Sequence, residues 1–288
     1  MLIDALTTKE NIERAFDNAL AERLRSEHVC FPSEIAIARE SKPEIIASIH
    51  KILMHPECYE PEFGFYYTMP KTELVNRHLV YLPFKELVIH YCFIQVLAER
   101  LDLQLQTTCF ANRLELDKKA LRLSEEFAQK SWPAYCDWQK LNGSKYSAML
   151  KTDLSSFFDN VDMTLLIEKI AHKLGTDASN PFFKMFKKML ATPSYLYSHK
   201  SLLQKHKGIA TGPSCMGVLA NYYLMDIDNL MCNISGVEYG RYVDDIKLFS
   251  DDKDALQQAF SALQEALYTL GLNINGSKTK LLNSRIRL

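Results

Sequence analysis

The sequence predicts an α+β protein whose second half is a small antiparallel sheet with helices on one face. Three observations carry that prediction. Residues 146–154 alternate apolar and polar as a strand does. Residues 237–242 and 246–249 are two more strand-like runs, with Val243-Asp244-Asp245 at the turn between them. Helix-period stretches with recognisable caps fill the intervals, so the order strand, helix, helix, hairpin, helix, strand approximates a split β-α-β frame.

Each element has a local reason. Residues 1–60 suggest helices with polar faces, punctuated by Pro32, Pro43 and Pro56, each of which disfavours helix at the residue before it. Phe63 to Pro83 suggests a pair of extended segments, and Glu86 to Leu101 a mostly apolar helix. Arg113 to Lys130 is charged and predicts a helix, followed by an aromatic-lined connection at Trp132, Pro133 and Trp138 and a turn at Asn142-Gly143. Asp162 caps a helix whose Leu166, Ile170 and Leu174 recur at 4-residue spacing before Gly175 stops it. Gly208 to Gly212 suggests a loop, Ser214 to Asn229 a helix, and Asp251 or Asp252 the cap of a last helix to Leu270. Gly271 and Gly276 flank a turn into residues 278–283.

Composition excludes several classes. A chain of 288 residues with 47% hydrophobic and 24% charged side chains is long enough for two lobes and lies far from disordered or fibrous composition. The longest apolar stretch, Leu87 to Ala98, is interrupted by His90 and Gln95 and is too short for a membrane span. Asp4, Glu10 and Glu13 stand where a signal peptide needs a basic region and an apolar run, so a cytoplasmic protein without membrane contact is expected. Seven scattered cysteines without a CxxC pair suggest reduced packing residues.

The net charge of -1 conceals an uneven distribution. Residues 184–207 hold six lysines, namely Lys184, Lys187, Lys188, Lys200, Lys205 and Lys207, and no acid. On a helix the first three share a face, which suits phosphate contacts, although a solvated helix face has the same pattern.

Two adjacent acids at a hairpin tip repel each other, so Asp244-Asp245 calls for a cation. Asp153 ends the strand from Tyr146, and if the two strands are neighbours it converges with Asp244. Carboxylates without His or Cys suit Mg2+ or Mn2+, and two such ions support in-line nucleotidyl transfer.

Four segments then stand in a telling order: Lys151-Thr-Asp-Leu-Ser-Ser-Phe-Phe-Asp-Asn-Val161, Gly208-Ile-Ala-Thr-Gly-Pro-Ser-Cys-Met-Gly-Val-Leu-Ala-Asn221, Arg241-Tyr-Val-Asp-Asp-Ile-Lys247, and Gly271-Leu-Asn-Ile-Asn275 with Lys278-Thr-Lys280. They resemble motifs A to D of prokaryotic reverse transcriptases, the group of group II intron, retron and abortive-infection enzymes, across about residues 63–284. The resemblance implies a right-hand polymerase with fingers and palm: an N-terminal helical segment at 1–62, fingers at 63–144, and a palm at 145–288 with a basic insertion at 175–207. It implies an RNA-directed DNA polymerase that uses two Mg2+ ions, with Mn2+ as a substitute, an RNA template, a nucleic-acid primer and dNTPs.

The resemblance also assigns residues. Asp153 and Asp244 match the metal-bridging aspartates, Asp245 the supporting carboxylate, and the carbonyl of Leu154 a further metal ligand. Phe158 matches the aromatic steric gate that excludes a ribose 2'-hydroxyl. Lys71 and Arg77 match fingers residues that grip the triphosphate, Thr211 and Gly212 the nucleotide-contacting part of motif B, and Lys278 the motif D proton donor. Lys184, Lys187, Lys188, Lys205 and Lys207 are expected on the nucleic-acid backbone.

Motif B departs from the common Pro-Gln-Gly and Ser-Pro forms, with Ala210-Thr211-Gly212 and Met216-Gly217 in their place. Few residues follow Leu282, too few for a thumb, so the expectation is a fragment of a longer chain, a thumb supplied by a separate polypeptide or an oligomer, or low processivity. No RNase H, maturase or endonuclease segment is evident, which favours a retron or antiphage-defence role over an autonomous mobile element. Two other readings stay open: untemplated or protein-primed DNA synthesis by the same carboxylates, and a catalytically silent nucleic-acid-binding module of the same fold.

Overall fold

The computed structural model describes residues 1–26, 31–115, 120–121, 125–196, 200–203 and 207–283. The chain opens with four helices, α1 (Leu2–Thr7), α2 (Lys9–Arg25), α3 (Pro32–Glu40) and α4 (Lys42–Met54). Pro32 and Pro43 sit in the first turns of α3 and α4, where an N–H is unneeded. Strands β1 (Gly64–Pro70) and β2 (Asn76–Tyr81) pair antiparallel, as the proline-bracketed run predicts. Helix α5 (Phe84–Leu101) follows, buried on nearly every face, and forms the centre against which α2 packs. Asn11 Nδ2 donates to the Cys92 carbonyl, Gln95 Nε2 to Asn11 Oδ1 and Asn18 Nδ2 to Gln95 Oε1, so the polar side chains between α2 and α5 satisfy one another.

Two expectations fail after α5. Instead of a helix from Arg113, a short hairpin of β3 (Leu114–Glu115) and β4 (Ala120–Leu121) forms. Arg113 is spent on a loop anchor, with Nε and Nη2 on the Asp102 carboxylate and Nη1 on the carbonyls of Gln106 and Cys109. The helix comes later and is longer: α6 (Glu125–Lys145) runs through Pro133, Trp138 and Asn142-Gly143, where a connection and a turn were expected. An internal proline costs about 3 kcal/mol. Trp132, Tyr135 and Trp138 offset that cost, because they share one face and form a continuous aromatic cluster with Phe110, Tyr242 and Phe249. Asn142 stays helical because its side chain turns back to the Trp138 carbonyl at 2.9 Å.

The remaining elements are β5 (Ala148–Ser155), α7 (Phe157–Asn160), α8 (Met163–Lys173), α9 (Pro181–Leu190), β6 (Ser194–Leu196), β7 (Ser201–Leu203), α10 (Met216–Cys232), β8 (Glu238–Tyr242), β9 (Asp245–Ser250), α11 (Lys253–Thr269), β10 (Asn273–Ile274) and β11 (Lys280–Asn283). Asp162 and Asp252 cap α8 and α11 through two backbone N–H groups each. One sheet runs β10-β5-β9-β8, with β11 also on β5, all antiparallel. The other runs β2-β1-β6-β7, its β1–β6 pair parallel, so the basic 175–207 stretch supplies two strands to the sheet begun at Gly64.

Alternation along β8 divides the first sheet's faces. Tyr239 and Arg241 point to α10, where both meet Asp228. Gly240 faces α6, and a Cβ there would lie 2.5 Å from the Trp138 ring. Helices α10 and α11 therefore cover one face, as expected, and α6 covers the β8 end of the other. Among the described residues no helix is long and apolar enough to cross a membrane, and the six described cysteines are free.

Candidate active site

Asp153 lies near the end of β5, directly opposite Asp245 in the antiparallel ladder with β9. Asp244 sits in the turn before Asp245, and the Leu154 N–H donates to its carbonyl at 3.2 Å. The neighbouring strands thus bring Asp153 and Asp244 to one spot, the floor of a cleft of about 740 Å³. Burial, and then the Asp153 charge, raise the Asp244 carboxyl above its ordinary value. Lys278 Nζ reaches Asp153 Oδ2 at 2.9 Å from a turn fixed to β5 by the Asn275 N–H on the Asp153 carbonyl at 2.7 Å.

Asp245 has different neighbours. Lys247 Nζ stands 2.9 Å from its Oδ2, the Tyr135 hydroxyl donates to the same oxygen at 3.3 Å, and Lys247 lies over the Tyr135 ring. Asp153 and Asp244 therefore line the cleft together, Asp153 paired with Lys278 and Asp245 with Lys247. Among the described residues no three His, Cys, Asp or Glu side chains form a metal-binding group. The pair itself offers only oxygen donors and crowded negative charge, which fits a hard divalent cation. Leu154 lines the same cleft.

The turn bearing Asp244 is strained and propped from behind. Val243 has φ +56°, a left-handed conformation disfavoured for a β-branched residue. Arg241 Nη1 holds its carbonyl at 3.0 Å. The same guanidinium, sealed from solvent, grips Asp228 twice and Asn221 once.

The wall opposite the aspartates comes from the β1–β2 hairpin, whose Lys71 and Arg77 are exposed into the cleft. Phe158 lines it from α7, packed edge-on to Phe157 with centroids 5.7 Å apart. Thr211 completes the lining, and its carbonyl accepts the Val80 N–H at 2.7 Å. Gly212 follows at φ +131°, where a Cβ would fall 2.5 Å from the Val80 carbonyl oxygen, so only glycine lets this loop lie on β2. Asp153, Asp244, Lys71, Arg77, Phe158 and Thr211, drawn from five separate segments, thus meet around one cleft.

The basic cluster is less uniform than its spacing suggests. α9 buries Phe182, Phe183, Met185, Phe186, Met189 and Leu190, and exposes Lys184 and Lys187. Lys188 is instead occupied by Glu60 Oε1 at 2.7 Å and the Tyr59 carbonyl at 2.7 Å, which ties α9 to the chain before β1. Lys207 donates to Asn160 Oδ1 at 3.2 Å beside α7, and Lys205 lies outside the described residues.

Sequence reasoning missed Arg241, Asp228, Tyr135 and Lys247. Arg241 and Lys247 flank the Asp-Asp pair, yet a charged residue in a short strand gives no sign of being buried, and the acidic partner of Arg241, Asp228, lies on another element.

A family model described as reverse transcriptase (RNA-dependent DNA polymerase) matches residues 92–288. No curated protein matches the chain.

Proposed function

We propose a mechanism and a setting for this chain, which belongs to the reverse transcriptase family and is thereby a nucleotidyltransferase, an RNA-directed DNA polymerase acting on an RNA template, a primer and dNTPs. Reverse transcriptases generally use divalent metal ions. In our reading Asp153 and Asp244, with the Leu154 carbonyl and with Asp245 in support, hold two Mg2+ ions, for which Mn2+ can substitute. Bound there, the ions would activate the primer 3'-hydroxyl and neutralise charge on the leaving pyrophosphate.

The chain's own side chains do the rest. Lys71 and Arg77 hold the triphosphate from the fingers wall. The Phe158 ring occupies the space of a 2'-hydroxyl and so selects deoxynucleotides. Lys278, 2.9 Å from Asp153, delivers a proton to the departing pyrophosphate. Lys184, Lys187 and Lys207 contact nucleic-acid phosphates. The proposed division is a helical segment at 1–62, fingers at 63–144 and palm at 145–288.

One observation carries this reading: the two carboxylates of one cleft floor face a wall bearing Lys71 and Arg77. The Thr211-Gly212 form of motif B and the motif order support a prokaryotic type, and with it a retron or antiphage role. Primer extension on an RNA template with dNTPs and Mg2+ is the test. Incorporation abolished by Asp244→Ala is expected, and a variant as active as the wild type would overturn the assignment. Product sequence complementary to the supplied RNA excludes untemplated synthesis.

A further inference from the structure

The matched family region begins at residue 92, yet a side chain far upstream reaches the cleft's lining loop. Glu22, in α2, is half-buried, and its Oε2 accepts two hydrogen bonds: from the Tyr91 hydroxyl at 2.6 Å and from the Ser214 N–H at 3.2 Å. Ser214 stands two residues after Gly212. The loop is otherwise held through the Ile209 N–H on the Phe158 carbonyl and the Val80 N–H on the Thr211 carbonyl. Its first part therefore rests on α7 and its middle on β2, whereas its last backbone donor before α10 rests on Glu22. Next to it, Arg23 holds the Leu82 carbonyl and Glu34, and stacks on the Tyr81 ring, so α2 also fixes the end of β2 against which Thr211 lies.

We propose that Glu22 is a positioning residue of the nucleotide site: through Ser214 it sets the height of Thr211 and Gly212 on the cleft wall, making the N-terminal helices part of the polymerase site. This rests on the cleft being the dNTP site. A half-buried loop N–H that loses its carboxylate acceptor must turn to water or shift, and either change loosens the loop's seat on α2. Because Thr211 and Gly212 meet the incoming nucleotide rather than the reacting atoms, the shift weakens nucleotide binding more than chemistry. A single oxygen accepts both bonds, so a glutamine carbonyl can replace it. Burial, moreover, raises the Glu22 carboxyl above its ordinary value, and an uncharged amide suits that environment.

Steady-state primer extension with varied dNTP tests this in the full chain. Glu22→Ala is expected to raise the KM for dNTP about tenfold with kcat changed less than about threefold, and Glu22→Gln to restore the wild-type KM. Tyr91→Phe, which keeps the Ser214 bond, should stay within about twofold of wild type, a larger rise in KM would overturn the proposal, and Glu22→Gln keeps the test decisive should Glu22→Ala fail to fold. Wild-type KM in Glu22→Ala, equal loss in Glu22→Gln and Glu22→Ala, or a fall in kcat alone would each overturn the proposal. Wild-type protein that extends no primer would instead overturn the reading of the cleft, so the two failures are distinguishable.

Discussion

Arg241 and Asp228 form an ion pair sealed from solvent, with Arg241 Nε 2.9 Å from Asp228 Oδ1 and Nη2 2.7 Å from Oδ2. The same arginine holds the carbonyl of Val243, one residue before Asp244. Removing one member leaves a buried charge without its partner. Arg241→Ala is expected to cost about 3–5 kcal/mol in urea unfolding. Removing Asp228 as well should cost less than the sum of the single losses, because the orphaned charge disappears.

Asp244 supplies charge that the fold does not need. Its carboxyl is raised by burial and by Asp153, so Asp244→Asn relieves repulsion and is expected to leave the melting temperature in metal-free buffer unchanged or higher. Mg2+ should raise the melting temperature of the wild type by mass action and leave the variant's unmoved. A drop in the metal-free melting temperature would contradict the crowding argument.

Phe158 closes the cleft from α7 and packs against Phe157. Phe158→Ala is expected to reduce discrimination against ribonucleotides by about ten- to a hundredfold in competing single-nucleotide incorporation. Unchanged discrimination would remove Phe158 from the site.

The α9 lysines should separate by role. Lys184 and Lys187 are exposed, so reversing both to glutamate is expected to lower the slope of log binding constant against log salt by about 2, for all sequences alike. Lys188→Glu breaks the contacts to Glu60 and the Tyr59 carbonyl, and should instead lower thermal stability by about 1 kcal/mol.

Stability should fall as pH rises up to and through neutrality, because burial pushes the Glu86 carboxyl up to about 7 from 4.5. The folded state then binds the extra proton, and stability is complete below 4.5 and lost as pH climbs through about 7. Buried His90, pushed down to about 4 from 6.5, acts in the opposite direction but only below 6.5. Between about pH 6.5 and 8 the wild type is expected to lose roughly 1 kcal/mol through Glu86. Glu86→Gln should flatten that decline; an equally steep decline in the variant would refute it.

Local pattern sufficed wherever one stretch decides its own structure. Asp162 and Asp252 cap helices because an Asp before an apolar-periodic run satisfies backbone N–H groups within three residues, and the β8–β9 hairpin follows from its own alternation. α6 defeated the same reasoning. Proline and Asn-Gly signal a break locally, but Trp132, Tyr135 and Trp138 gain more by lining the sheet's face than the break would gain.

The sequence by itself determined the order and spacing of Asp153, Phe158 and Asp244-Asp245, which are properties of the chain. Only the tertiary structure decided how they are held. It set Asp153 and Asp244 on one cleft floor and gave Asp245 to Lys247, took Lys188 out of the exposed lysine face, buried Arg241 behind the turn, and brought Glu22 to Ser214 across 192 residues. Apart from Lys247, which neighbours Asp245 on β9, such partners lie on other elements. A buried charge or N–H is satisfied by whatever packing delivers to it, and no local periodicity encodes that.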